Sequence, residues 1–277
     1  MAIPTEFFPG MITLLHDPLL TYPVAAAVLS GVACGVVGIF VVVKRISNIT
    51  GSIAHSAFGG IGIAQYLGIP SIVGALVAGW VSGIAMALVR RHFKQNEDIL
   101  IGMIWVLGMA LGLLMLHFST GYTSDLFGLL FGNILLITKA DIVRLLIWDI
   151  AIVGGLIAFF RMLQAVVFDE LFATVTNLPV ATINYALISV VAISTILLIK
   201  AVGMILVIAL ITLPAATAIN LSNRFGLSIV ISIGVGILAN LAGIFASFGF
   251  DLPVAPIIVL VLMGFYIGSI GINRIRS

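Results

Sequence analysis

A lone imidazole stands within a long apolar stretch: His55, in Gly51-Ser-Ile-Ala-His-Ser-Ala-Phe-Gly-Gly60. A neutral imidazole suits zinc, manganese or iron, and it can relay a proton. A charged side chain facing lipid costs a few kcal/mol, so an ionisable group in such a stretch faces the interior and acts there. Two readings stand for His55. It is a ligand or relay on a substrate path, or a neutral ring hydrogen-bonded to Ser52 or Ser56. The small residues around it leave space and favour the first. Asn240, midway in Gly234–Gly249, is the next polar group inside an apolar run. Interhelical hydrogen bonding comes first for it, and lining of the same path second. Asp149 reads as a buried hydrogen-bonding group. Asp125 and Asp251 stand at the ends of polar breaks, each ahead of an apolar run, where capping, shaping a mouth or docking suits a carboxylate better than catalysis. His16 and His117 are isolated, and His92 belongs to a basic loop. Cys34, the only cysteine, lies inside a run and reads as a small packing residue. No HExxH, P-loop or G-x-S-x-G pattern occurs, so nucleotide hydrolysis would belong to another chain.

The elements that hold these groups follow from composition. The chain has 277 residues, 62% hydrophobic and 8% charged, with a mean hydropathy of +1.33. That excludes a disordered or nucleic-acid-binding chain. Apolar runs long enough to cross a bilayer, about 17–25 residues each, follow one another. They cover Tyr22–Val43, Ile53–Ile69, Ile72–Val89, Ile99–Phe118, Ile142–Phe160, Thr182–Ile199, Met204–Leu221, Leu227–Phe248 and Pro253–Ile272. The expected fold is all-α, a single polytopic membrane domain over residues 1–277 with eight or nine spans. Eight spans with a re-entrant second piece is the alternative, because Ile53–Ile69 is short and glycine-rich. Every second break carries the cations: Lys44 and Arg45, then Arg90, Arg91 and Lys94, then Arg161, Arg224, Arg274 and Arg276. The other breaks hold Lys139, Arg144 and Lys200. The positive-inside rule makes the richer breaks cytoplasmic, with the N-terminus outside and the C-terminus inside. Residues 1–21 then lie along the outer interface. No basic leader segment is present, and Glu6 and Asp17 stand there instead.

Two breaks exceed what a turn needs. Residues 119–141 hold an apolar core, Leu126–Ile137, too short to cross, which reads as a re-entrant or interfacial hairpin. Residues 161–181 hold a helical pattern. Phe168, Leu171, Phe172 and Val175 fall at i, i+3, i+4 and i+7, Asp169, Glu170 and Thr174 face away, and Asn177 and Pro179 stop the helix. Its polar face is acidic, which disfavours an anionic membrane surface and favours docking into a cytoplasmic protein. Glycine pairs at four-residue spacing, Gly31/Gly35, Gly79/Gly83, Gly108/Gly112 and Gly264/Gly268, bring helices close. Gly59, Gly60 and Gly62 are denser than packing needs and mark a place where something passes. Pro214 kinks its span or frees a carbonyl.

Five stretches in one order resemble the permease family of ABC importers for zinc, manganese and iron. They are Lys44–Gly60 followed by Gly62, Glu97–Gly102, Asp125–Asn133, Val202–Ala218 and Asp251–Leu260. The resemblance runs from about Tyr22 to the C-terminus. It implies a cell-membrane homodimer of this subunit, two cytoplasmic ATPase subunits that bind ATP, and an extracytoplasmic metal-binding protein. It also implies a divalent metal as cargo, with no cofactor held by this chain. The Phe168–Pro179 helix matches the family's ATPase-coupling helix, and His55 its path-lining histidine. Many members carry Asp four residues before that histidine, where this sequence has Gly51. The penultimate span has no His or acid here. A lone imidazole is a weak site, since tight ones use three or four ligands. Two facing His55 rings or a shaped polar path remain, with selectivity resting on the binding protein. Two other cargo readings stand: an ABC permease for a non-metal solute, and an ion-coupled secondary transporter. The second lacks midplane acids other than Asp149 and shows no clear repeat.

Overall fold

The computed structural model describes residues 18–92, 97–119, 132, 134 and 137–276. These form ten helices: α1 (Pro18–Val43), α2 (Ser47–Tyr66), α3 (Ser71–His92), α4 (Glu97–Phe118), α5 (Lys139–Phe168), α6 (Glu170–Val175), α7 (Val180–Val202), α8 (Met204–Leu221), α9 (Phe225–Phe250) and α10 (Val254–Arg276). Eight of them, all but α2 and α6, are long and apolar enough to cross a membrane. Asp125, and nearly all of the expected 1–21 segment and of the Leu126–Ile137 hairpin, lie outside the described residues.

Helix α2 forms one continuous helix across the second run. It begins at Ser47, six residues before the expected start, and continues for 20 residues. Its serines, threonine and glycines suit a protein interior better than hydrocarbon, and 14 of its residues are buried. Helix α4 walls one side of it and α3 the other. The three glycines expected to leave room for passage are instead consumed by these contacts. A Cβ on Gly59 would stand 2.6 Å from the Gly108 carbonyl oxygen, one on Gly62 2.3 Å from that of Gly112, and one on Gly60 2.1 Å from that of Gly74. Gly31 and Gly35 do the same for α1 against α9, where Cβ atoms would meet Ile237 and Ile233 at 2.6 Å. Gly264 and Gly268 on α10 have nothing within 4 Å.

Helix ends follow the local chemistry. Thr138 and Asp141 close a capping box at the start of α5, and Asp141 also accepts from Arg144 and Lys200 at 2.9 and 2.7 Å. Helix α5 runs for 30 residues and bends at Phe159, whose φ of −112° and ψ of 15° are non-helical. Helix α8 continues through Pro214. Three helices end on a left-handed residue that is not glycine: Arg45, Asn177 and Asp251. At Arg45 the Ile46 N–H bonds the Val41 carbonyl at 2.9 Å and the Arg45 N–H bonds that of Val42 at 3.1 Å, the paired closure of a Schellman motif.

Candidate functional site

His55 sits half-buried on α2, and its ring stacks on the Trp105 indole of α4, with centroids 4.5 Å apart and planes 16° from parallel. Its Nδ1 is buried with no hydrogen-bond partner among the described residues, and the same holds for Ser56 Oγ beside it. Ser52 donates to the Ile101 carbonyl at 3.3 Å instead of to the imidazole. One turn before His55, a Cβ on Gly51 would lie 3.2 Å from Trp105 Cζ3. The indole thus occupies the space that a side chain at position 51 would use. The arrangement offers one imidazole with the indole over its face, while Ser56, next in sequence, projects about 100° around the helix. Among the described residues no group of three or more His, Cys, Asp or Glu could hold a metal. Trp105 was the residue missed in the sequence. Its one signal was a tryptophan deep in an apolar run, away from the interface that tryptophan favours.

The other polar candidates are not gathered around His55. Asn240 on α9 is fully buried and donates Nδ2 to the Ala27 carbonyl at 2.9 Å and to Ser30 Oγ at 3.0 Å, both on α1. That is an interhelical clamp. Asp149 on α5 is buried, and neither carboxylate oxygen has a hydrogen-bond partner among the described residues. The hydrogen-bonding role expected for it is therefore absent here. Asp251 ends α9 at a φ of 52° and lines a cavity of about 320 Å³ with Ser247, Pro253 and Gly132.

At the end of the bundle where α1, α3 and α5 finish, the acidic amphipathic segment takes a different form from the one expected. A single helix over Phe168–Pro179 is replaced by a break at Asp169, which is extended (φ −147°, ψ 97°) and leaves α6 six residues long. Aspartate causes the break by capping: its carboxylate accepts the Phe172 N–H at 2.9 Å. Phe168 stays on α5, its ring edge-on to Phe225 of α9 at 5.2 Å. Glu170 is 53% exposed and nonetheless partnered. It takes the Lys44 ammonium at 2.8 Å and the Asn184 amide at 3.1 Å. Burial would raise its pKa, yet these two partners, with the nearby Arg90 charge, hold it below the usual carboxylate value. The apolar side is what remains open: Leu171 and Val175 are each 81% exposed and Phe172 58%. Beside this helix a cavity of about 920 Å³ is lined by Lys44, Arg90, Arg91, Glu170, Asn184 and Tyr185.

Residues 16–273 match the ABC 3 transport family. The chain belongs to that family. Among its ABC 3 relatives, the "manganese transport system membrane protein MntC" of Halalkalibacterium halodurans is 31% identical over 255 residues, 90% of this chain and 87% of the relative. A "probable metal transport system membrane protein" of Chlamydia trachomatis is 34% identical over 266 residues, 94% and 91% of the two chains. Among solved structures, PsaBC from Streptococcus pneumoniae in complex with Fab superposes with a TM-score of 0.83 at 29% identity, covering 95% of this chain and 94% of that one. A putative metal-chelate type ABC transporter in an inward-facing conformation gives 0.74 over 100% and 92% at 16% identity, which speaks to the fold alone. This ABC 3 chain is an all-α, multi-pass protein of the cell membrane.

Proposed function

We propose that this chain is the membrane-spanning permease subunit of an ATP-driven importer of divalent metal ions. Family membership carries the reading, and the names of the relatives supply the cargo class. Two copies would form the pore, two ATPase subunits would bind below it, and an extracytoplasmic protein would deliver the metal. The end holding Lys44, Arg90, Arg161 and Arg224 is the cytoplasmic one by its charge, so the N-terminus lies outside and the C-terminus inside. There, Leu171, Phe172 and Val175 of α6 form the ATPase contact. Their exposure supports this, because aliphatic side chains 81% open to solvent outside the spans gain most by burial in a partner's groove. The Asp169 cap and the Phe168–Phe225 contact hold α6 in place for docking.

His55 lines the path, with Trp105 lying on its ring. One imidazole binds a divalent ion weakly, which suits a passage that must release its cargo. Asp251 sits at the outer mouth. Asn240 acts on the path through the α1–α9 contact. A second reading, a permease for a non-metal solute, is favoured by the indole that fills the space beside Gly51.

The test is uptake by the complex reconstituted with its ATPase and binding protein, offered manganese, zinc and ferrous iron separately. His55→Ala should reduce uptake of one ion and leave ATPase association intact, and Leu171→Asp should abolish association. If the wild-type complex hydrolyses ATP and accumulates none of the three ions, the metal reading is wrong.

A further inference from the structure

We propose that Lys44 and Glu170 form a strut through which movement of α6 reaches α2, the helix that carries His55. This rests on reading α6 as the ATPase contact. At the near end of the strut, Lys44 Nζ donates to Glu170 Oε1 at 2.8 Å and also to Asn184 Oδ1, while Asn184 Nδ2 donates to the same Glu170 oxygen at 3.1 Å. Three side chains, from the segment after α1, from α6 and from α7, thus close a triangle of hydrogen bonds. The Lys44 side chain is only 11% exposed. An ammonium so enclosed needs its partner, because breaking the pair would leave an uncompensated charge.

The far end is equally constrained. Lys44 belongs to the three-residue joint between α1 and α2, and Arg90 at the end of α3 donates to its carbonyl at 3.0 Å. The joint is closed by the Schellman bonds at Arg45, and Ile46 is 3% exposed in the core. A displacement of Lys44 therefore passes into the first turn of α2. His55 lies eight residues beyond Ser47, about 12 Å along a helix rising 1.5 Å per residue. Glu170 is the first residue of α6, so any tilt of α6 on a partner moves it directly. Asp169, its acidic neighbour, spends its carboxylate on the Phe172 N–H of the same helix.

The experiment uses the permease–ATPase–binding protein complex in proteoliposomes, with manganese and zinc as separate probes. Metal taken up per ATP hydrolysed is the readout, since a purely structural role would change the amount of complex and leave this ratio alone. Lys44→Met and Glu170→Gln should each assemble with the ATPase and hydrolyse ATP, yet lower the ratio about fivefold or more, the scale of ordinary coupling energies. The double reversal Lys44→Glu/Glu170→Lys should recover most of it. Wild-type ratios in both single variants, or a double reversal no better than the worse single, would overturn the strut. If charge loss prevents assembly, Asn184→Ala and Lys44→Arg carry the test, and the strut then requires a lowered ratio in the first and a nearly normal one in the second. Leu171→Asp separates the two readings. If it keeps the ATPase bound, the coupling role of α6 fails and the strut with it. If it releases the ATPase while the strut variants transport normally, the strut alone fails.

Discussion

Gly108→Ala tests whether the α2–α4 contact sets the His55–Trp105 geometry. A Cβ at position 108 would stand 2.7 Å from Ser56 Cα and 3.0 Å from both the His55 carbonyl oxygen and the Ser56 nitrogen. All three are backbone atoms, so no side chain can swing away. Reaching ordinary carbon contact at about 3.5–4.0 Å requires α4 to back off by roughly 1 Å. Overpacking of this kind costs about 1–3 kcal/mol. Trp105 lies one turn from Gly108 on the same helix, so the shift also opens the stack and forfeits a further ~0.5–1.5 kcal/mol. Gly102 is the matched control: it is on α4, three residues before Trp105, and a Cβ there would have nothing within 4 Å. Gly102→Ala should gain about 0.5–1 kcal/mol from helix propensity alone. Thermal inactivation of the purified permease in detergent would compare the two. Quencher accessibility of Trp105, with Trp80 and Trp148 replaced by Phe, would report the stack. Equal stability and equal quenching in the two variants would refute the argument, because only the close approach distinguishes them.

Other consequences can be checked in the same preparations. Asn240→Ala removes two bonds from α9 to α1 and should cost about 0.6–1.7 kcal/mol, the range seen for polar contacts inside membranes, in thermal stability. Glu170 has its folded pKa lowered, so its contribution to stability is complete above the unfolded value near ~4.3 and fades as pH falls through the folded one. Glu170→Gln should lose this acid sensitivity, and a pH series of thermal midpoints decides it. Arg45→Gly should keep the fold and add up to about 1 kcal/mol, because a side chain at a φ of 55° is strained and glycine is not. A drop in stability would show that the arginine side chain contributes more than the strain costs.

Much of the architecture was legible because it rests on one-dimensional properties. Span length and charge alternation come from bilayer thickness and the cost of moving cations, and both are written directly in the chain. The limits lay in contacts between distant residues. The glycines of α2 looked like room because sequence shows where a side chain is missing, not what backbone fills the gap. The acidic face of residues 169–170 was legible from periodicity, but its partners were not, because periodicity assigns faces and no contacts. Asp169 is spent on its own cap, and Glu170 on a lysine 126 residues earlier. Trp105 could not be joined to His55 for the same reason. By contrast, Asn177 and Pro179 were visible as a stop signal, since left-handed and proline termini are local chemistry.

The seams on either side of α2 have a mechanical consequence. Where Gly59 and Gly62 meet Gly108 and Gly112, and where Gly60 meets Gly74, backbone lies on backbone, and the Phe58 ring and the Ala64 and Ala78 methyls seat in the gaps beside it. Such surfaces strongly resist being pressed closer, and the seated side chains, the Ser52–Ile101 bond and the His55–Trp105 stack tie them along their length as well. Helix α2 is therefore clamped between α3 and α4, held both across its axis and along it. A push arriving at its first turn would move α2 together with its neighbours, carrying the stacked imidazole and indole as one unit.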